Sequence, residues 1–301
     1  MSILVRRSNL LVPLSDAAGV SNAWQYDADA ITLDFTGAAA RGGARDAVAS
    51  AAQGAAEVFV RVRNECLRED FEAAVAPGLR GIMLAPVESA AQVVAAGEIV
   101  SALESARGLA NGSLQLIVVL ESARAVWDVR AIITASARIS QVMLDERALA
   151  AELGITPAPE YDPFDYARGR VVVEATAAKV SPVGIAYPLS VQSRAATSEE
   201  VHTLAMKGKN LGMKGVLCRH PEWVAPVNAA FTPTPELVTF NKRVREAFAA
   251  GVAAGTAAVP LDGKMIDVPV DEWAIVVLAT ADACAARDAE KQAAVRARSA
   301  A

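Results

Sequence analysis

The sequence predicts an α/β protein of the TIM (β/α)8 barrel type, followed by a C-terminal helical arm. Three observations lead there. Eight short apolar runs recur between residues 9 and 218. They are nearly continuous in hydrophobicity, as strands buried on both faces of a parallel sheet are. Helical patterns separate them, which is the alternation of a parallel βα array. A doubly wound open sheet is the alternative fold. It usually has fewer strands and a Gly-rich first turn, whereas the first turn here, VPLSDAAGVS, lacks G-x-G-x-x-G.

The predicted strands are NLLVPL (9–14), DAITLDF (29–35), EVFVRV (57–62), GIML (81–84), QLIVVL (115–120), ISQVML (139–144), VGIAY (183–187) and GVLC (215–218). Among the helices, 122–138 carries Val126, Val129, Ile132 and Ile133 on one stripe, with Ser122 as its N-cap. The segment 197–212 opens with Thr197 and Glu200 in capping-box spacing and ends on Gly212. After residue 231 the pattern changes. Thr234 caps a helix with Pro235 at its first position and a stripe of Leu237, Phe240, Val244 and Phe248. AAVPLDGKMIDVPVDE reads as a Gly/Pro-punctuated loop, and a final helix starts near Asp271. Residues 1–231 are expected to form the barrel and 232–301 the extension, which covers the barrel or reaches a neighbouring subunit.

Composition narrows the function classes. Of 301 residues, 53% are hydrophobic and 21% charged, a soluble globular balance with ample core. The net charge of -5 speaks against nonspecific nucleic-acid binding, which needs a basic surface. No stretch approaches the roughly 20 apolar residues of a membrane span. The opening MSILVRRSNLLVPLSD lacks the long apolar region and cleavage site of a signal peptide, so its apolar run is the expected first strand. Cys66, Cys218 and Cys284 suggest neither a disulfide framework nor a zinc site, and the expected compartment is a reducing cytoplasm. Two histidines, His202 and His220, with no His-Cys cluster, argue against a zinc enzyme.

In such a barrel, chemistry sits at the C-terminal ends of the strands. Read in order, these ends are Asp34, Arg61 with Arg63, Pro86, Glu121, Asp145 with Glu146, Tyr187, and Arg219 with His220. Carboxylates there suit a hard cation such as magnesium, which takes oxygen ligands and keeps waters for substrate to displace. An arginine there can clamp a carboxylate or phosphate with its planar fork. Each residue also has a plainer role. Glu121 precedes a helix start, where the dipole alone favours a carboxylate. Arg61 can simply pair with Asp34 or Glu121. For Asp145 and Glu146, at a helix N-terminus, capping is the favoured reading. His220, before Pro221, orients a loop as readily as it moves protons. Tyr187 reads as packing, and Cys218 as a small buried residue.

The order RRSNLLVP…ADAITLDF…VFVRVRN…GIMLAPVES…LIVVLES…RISQVMLDERALAAELG…NAAFTPTPE…LDGKMIDVP resembles the citrate lyase beta-subunit-like proteins of the HpcH/HpaI aldolase/citrate lyase superfamily. That superfamily includes malyl-CoA and citramalyl-CoA lyases, and the resemblance covers almost the whole chain. It implies a TIM barrel, homotrimers or their dimers, and an arm that reaches the adjacent subunit's site. It also implies magnesium-dependent cleavage or formation of a carbon–carbon bond in a hydroxyacyl-CoA.

Residue by residue, the family arginine of the R-V-N segment matches Arg61, with Arg63 where the family has Asn. The metal-binding glutamate of I-E-S matches Glu121. The aspartate of M-I-D, which comes from the neighbouring subunit and handles a proton, matches Asp267. Other matches fail. D-L-E-D reads Asp34-Phe35-Thr36-Gly37 here, and P-K-V reads Ala85-Pro86-Val87. The lysine before the H-P segment reads Val216. G-T/A-E-D reads Asp145-Glu146-Arg147-Ala148, so the second metal ligand falls on Ala148. Glu146 remains as a weak metal candidate, if it turns inward beside the cationic Arg147.

Two readings follow. The first is an altered lyase acting on a CoA thioester or a small oxo- or hydroxy-acid, with magnesium bound weakly. Arg61 and Asp267 are catalytic, Arg61, Arg63 and Asp34 hold substrate, and Arg61, Arg63 or Arg147 helps or replaces the metal. The second is a non-catalytic paralogue that assembles with an active lyase and lends it the Asp267 arm. The lyase stands first because Arg61, Glu121 and Asp267 persist together. A ligand-binding module without chemistry is a third, weaker option.

Overall fold

The structure is a computed structural model that describes residues 3–36, 42–64, 67–156, 158, 161–185 and 195–299. Gly37, Cys66 and Tyr187, singled out above, lie outside the described residues. Contacts divide the chain into two compact units: Arg6–Phe231 with Ala294–Ala301, and Met1–Val5 with Thr232–Ala293.

The first unit is an eight-stranded parallel barrel surrounded by helices. Its strands are β1 (Ser8–Pro13), β2 (Ala30–Asp34), β3 (Glu57–Arg63), β4 (Leu79–Ala85), β5 (Gln115–Leu120), β6 (Ile139–Leu144), β7 (Ser181–Val183) and β8 (Val216–Cys218). Seven of them follow the predicted runs to within two residues at each end; the seventh lies earlier than the predicted 183–187 and shares only Val183 with it. The sheet runs from β7 down to β1 and on to β8. Two backbone hydrogen bonds close the remaining seam. Lys214 N–H donates to the Pro182 carbonyl at 2.8 Å, and Gly184 N–H donates to the Gly215 carbonyl at 3.2 Å. A side chain at Gly215 would collide with the Arg6 carbonyl, its Cβ lying only 2.1 Å away. That glycine therefore lets the β8 entry approach the chain leading into β1.

Strand alternation sorts side chains onto two faces. Ala30, Phe59, Met83, Ala85, Ile117, Val119, Met143 and Val183 form one cluster from six strands, which is the barrel interior. The alternate residues, such as Ile31, Val58, Val60, Ile82 and Val118, pack in the larger cluster with the helices. At the N-terminal end Arg6 lies 4.9 Å over the Phe59 ring. It donates to Glu57, to Gln115 at 2.6 Å and to Ser140 at 3.1 Å.

The caps foreseen at Ser122 and Thr197 form: Ser122 Oγ accepts from Ala125 N–H at 3.1 Å, and Thr197 with Glu200 makes a full capping box. The 122–138 pattern departs from a single helix. It folds as Ala123–Trp127 and Val129–Ile133, interrupted at Asp128, while its four stripe residues stay buried.

In the second unit, Pro235–Ala253 is a helix capped by Thr234, whose side chain accepts from Leu237 N–H at 3.2 Å. The segment read as a loop is instead a hairpin of β9 (Val259–Leu261) and β10 (Lys264–Ile266). Its turn is Asp262-Gly263, with φ of 50° and 75°. Asp-Gly with positive φ at both positions is the two-residue turn that matches strand twist. Val244, Ile266 and Ala274 make a small core with Phe240 and Phe248. The helix Val268–Ser299 starts three residues before the predicted point. No helix of the described residues is long and apolar enough to cross a membrane.

Buried charge in the barrel unit is tightly paired. Glu104 has no exposed surface, and Arg138 reaches its carboxylate at 2.9 and 2.7 Å. Leu114 and Gly112 N–H groups add bonds at 2.8 and 2.9 Å. Burial pushes the Glu104 carboxyl up, but Arg138 and these N–H groups outweigh it and hold the carboxyl below its ordinary range. A depressed native carboxyl adds stability above its unfolded pKa and loses it as pH falls through the native value. Arg138→Met should therefore lower unfolding stability by about 3–5 kcal/mol near neutral pH, because it strands a buried carboxylate. Urea titrations from neutral to acidic pH will check this. Glu104→Gln should flatten the acid side of the stability curve.

Candidate active site

The strand ends bring five charged side chains to the C-terminal mouth. Asp34 ends β2 and Arg61 lies on β3 as its direct register partner. Arg61 shares the inward face of β3 with Phe59, so it points into the mouth. Its Nη1 lies 3.5 Å from Asp34 Oδ2, and its Nη2 donates to Glu121 Oε1 at 3.1 Å. Glu121 directly follows β5. Asp145 directly follows β6, and its backbone N–H bonds to Leu120 O at 2.8 Å. Arg219 directly follows β8, and its Nη2 donates to Asp145 Oδ2 at 3.3 Å.

Asp145 also caps the helix Glu146–Glu152. Its Oδ1 accepts from the N–H groups of Arg147 and Ala148, both at 3.1 Å. The capping reading of Asp145 thus describes its geometry, and the Arg219 contact adds a second function to the same carboxylate. Burial raises the Glu121 carboxyl above its ordinary value; Arg61 opposes this, and neighbouring Asp145 adds to it.

The other sequence candidates fall as follows. Arg63 shares the inward face of β3, is half-buried, and has no ion-pair partner among the described residues. Glu146 does not turn toward the metal position. It is buried, and the wholly buried Arg168 draws its carboxylate into an ion pair that also takes in Asp162. Arg147 is exposed. His220 is exposed beside Trp223, with ring centroids 5.3 Å apart. Burial pushes the Cys218 thiol well up, which leaves it a poor nucleophile. Asp267 lies in the second unit, exposed, and its Oδ1 accepts from Val270 N–H at 3.3 Å at the start of the last helix. Arg168 and the Arg219–Asp145 contact were not assigned from sequence. Arg219 was visible only as a strand-end cation, and its partner lies 74 residues away.

The donor set can be tested for magnesium. Among the described residues no group of three or more His, Cys, Asp or Glu side chains is placed to hold a metal ion. Glu121 is bound by Arg61, and Asp145 by Arg219 and two helix N–H groups. Both carboxylates are therefore engaged by protein donors.

A family model described as HpcH/HpaI aldolase/citrate lyase matches residues 7–221. The chain belongs to this family. It is 30% identical over 284 residues to the citrate lyase subunit beta of Haemophilus influenzae, covering 91% of this chain and 96% of that one. It is 27% identical over 218 residues to the L-malyl-CoA/beta-methylmalyl-CoA lyase of Rhodobacter capsulatus, covering 67% of each. Among solved structures it is similar to CitE from Mycobacterium tuberculosis in complex with magnesium, acetoacetate and coenzyme A. There the TM-score is 0.70 at 20% identity, over 92% of this chain and 98% of that one. At that identity the likeness concerns the fold. The family and these relatives make the protein a citrate lyase beta-subunit-like member of the carbon–carbon lyase class.

Arg61 is the test of the mouth as an anion site. Arg61→Ala should weaken binding of oxaloacetate by roughly 1.5–3 kcal/mol, the usual worth of a hydrogen bond to a charged group. Isothermal calorimetry will measure it. An unchanged affinity would remove Arg61 from the site.

Proposed function

We propose that the protein cleaves or forms a carbon–carbon bond in a hydroxyacyl-CoA or a small oxo- or hydroxy-acid, with altered or lost magnesium dependence. One observation carries this reading: the mouth pairs its carboxylates with guanidinium groups, Asp34–Arg61–Glu121 and Asp145–Arg219. The lyase names of the relatives, one of them a malyl-CoA lyase, support the substrate class.

The reaction this site suits is cleavage of a 3-hydroxyacyl thioester. A base takes the hydroxyl proton, and the oxygen becomes the carbonyl of an oxo-acid. The C2–C3 bond breaks, and its electron pair moves onto the thioester as an enolate. A proton then enters at C2 and the acyl-CoA leaves. Arg61, with Arg63 beside it, holds a substrate carboxylate through planar bidentate hydrogen bonding. Asp34 keeps Arg61 oriented. Asp267 of a second copy is the proton carrier. Its exposed place at a helix start supports a role in trans, as do the nearby exposed Met265, Trp273 and Val276.

Assembly and metal dependence are both open to test. Sedimentation should find a homo-oligomer, a trimer or hexamer, and deleting 232–301 should abolish both assembly and turnover. A monomer would remove the exchange of arms. Titration of the free protein with magnesium should give no micromolar dissociation constant, and malyl-CoA or citramalyl-CoA should be cleaved slowly, with little change in EDTA. The double variant Arg147→Glu, Ala148→Asp should gain metal affinity. Should the chain alone stay inactive on both thioesters, yet activate a paralogous lyase, the reading becomes that of a non-catalytic partner in a mixed oligomer.

A further inference from the structure

We infer that Arg219 supplies the positive charge that meets the oxyanion formed on cleavage, and that Asp145 positions it. The inference rests on the lyase reading above and deepens it by naming the group that replaces the metal.

Three arginines of the barrel unit show what full commitment to protein acceptors looks like. Arg138 makes five side-chain contacts, to Glu104, Ser101, Asn111 and the Leu114 carbonyl. Arg7 grips Asp29 through Nε and Nη2 at 2.8 and 2.9 Å. Arg168 is wholly buried between Glu146 and Asp162. These guanidinium groups are committed to protein acceptors. Arg219 differs: it makes one contact, at 3.3 Å, and its side chain is 33% exposed. A guanidinium has five N–H donors, so most of those on Arg219 have no protein acceptor among the described residues.

The surroundings place these donors where a substrate oxygen can reach them. A cavity of about 30 Å³, which is room for one oxygen-bearing group, has Asp145, Glu146, Arg147, Ile185, Leu217 and Arg219 in its lining; the Glu146 carboxylate is taken up by Arg168. Arg219 enters from β8, while Arg61 and Arg63 enter from β3, so the two sources of positive charge act from separate strands. Asp145 is itself fixed by two helix N–H groups, so its Oδ2 is a firm anchor. A donor held in place before the reaction stabilises developing charge without reorganising. In the cleavage step the electron pair of the C2–C3 bond moves to the thioester oxygen. Arg219 donates to that oxygen until C2 takes its proton.

The test uses the full-length oligomer in EDTA, with Arg219→Gln and Arg219→Lys. Oxalate is the binding probe, since its coplanar oxygens carry charge as an enediolate does. Oxalate should bind the natural protein. The Gln variant should lose tenfold or more of that affinity, and the Lys variant should retain most of it. On malyl-CoA or citramalyl-CoA, Arg219→Gln should lower kcat by about 100-fold with little change in KM, the usual result of losing one oxyanion donor. Free guanidinium should partly rescue Arg219→Ala. If the Gln variant, shown folded by near-UV dichroism, keeps both kcat and oxalate affinity, the inference is overturned. It is overturned too if the natural protein does not bind oxalate. Arg219-dependent oxalate binding without turnover of either thioester would leave the anion site standing and sink the lyase reading alone.

Discussion

Everything at the active end depends on the sheet closing on itself. Parallel strands all point the same way, so closure gathers eight strand ends into one ring. β7 and β8 are the shortest strands of that ring, and the seam between them rests on two backbone hydrogen bonds. Were the sheet left open there, Arg219 after β8 and Asp145 after β6 would not meet. Gly215 serves the same end from the other side of β8, since any larger residue would strike the Arg6 carbonyl and push β8 from β1. Register then does the fine placement: Asp34 and Arg61 are direct partners on adjacent strands, so their ion pair follows from the pairing itself.

The two ends of the barrel treat charge differently, and the difference separates structure from function. At the N-terminal end Arg6 is buried against Phe59 and shares its donors among Glu57, Gln115 and Ser140. Such a group stabilises the interior only if its donors are met, because an unmet buried charge is costly. At the mouth, Arg61 makes two contacts and Arg219 one, all of 3.1–3.5 Å, and both keep part of their surface in water. A pair of that kind adds little to stability, which leaves its donors available to an anionic substrate.

Most of the fold was legible because hydrophobic periodicity is a local signal. Ile139–Leu144 and Gln115–Leu120 stand where their apolar runs stand. The misses have local causes too. Asp128 splits the 122–138 pattern without breaking its buried stripe, so periodicity alone could not reveal it. Asp262-Gly263 carried a readable hairpin signal, hidden among the prolines and glycine of the segment. The candidate site was only partly legible. That Asp34, Arg61, Glu121, Asp145 and Arg219 converge could be foreseen from a barrel, but pairings could not. Arg168 lies 22 residues from Glu146 and looks like any helical arginine until the fold buries it.

The electrostatics of the mouth set what its acids need beside them. Glu121 and Asp145 repel each other, and burial adds to the strain on Glu121. Something positive has to sit beside them. A magnesium ion would bring two charges at one point. Arg61 and Arg219 each bring one charge on a planar group beside a strand end. A metal and a guanidinium differ in the chemistry they offer there. A metal polarises an oxygen from any open coordination position and keeps waters to exchange. Guanidinium groups offer hydrogen bonds along fixed directions and demand acceptors in the plane of the fork. A mouth built this way should be stricter about where the substrate places its carboxylate and its carbonyl. The Glu121 carboxyl remains raised even with Arg61 and Arg219 nearby, so the two cations do not cancel burial and repulsion completely.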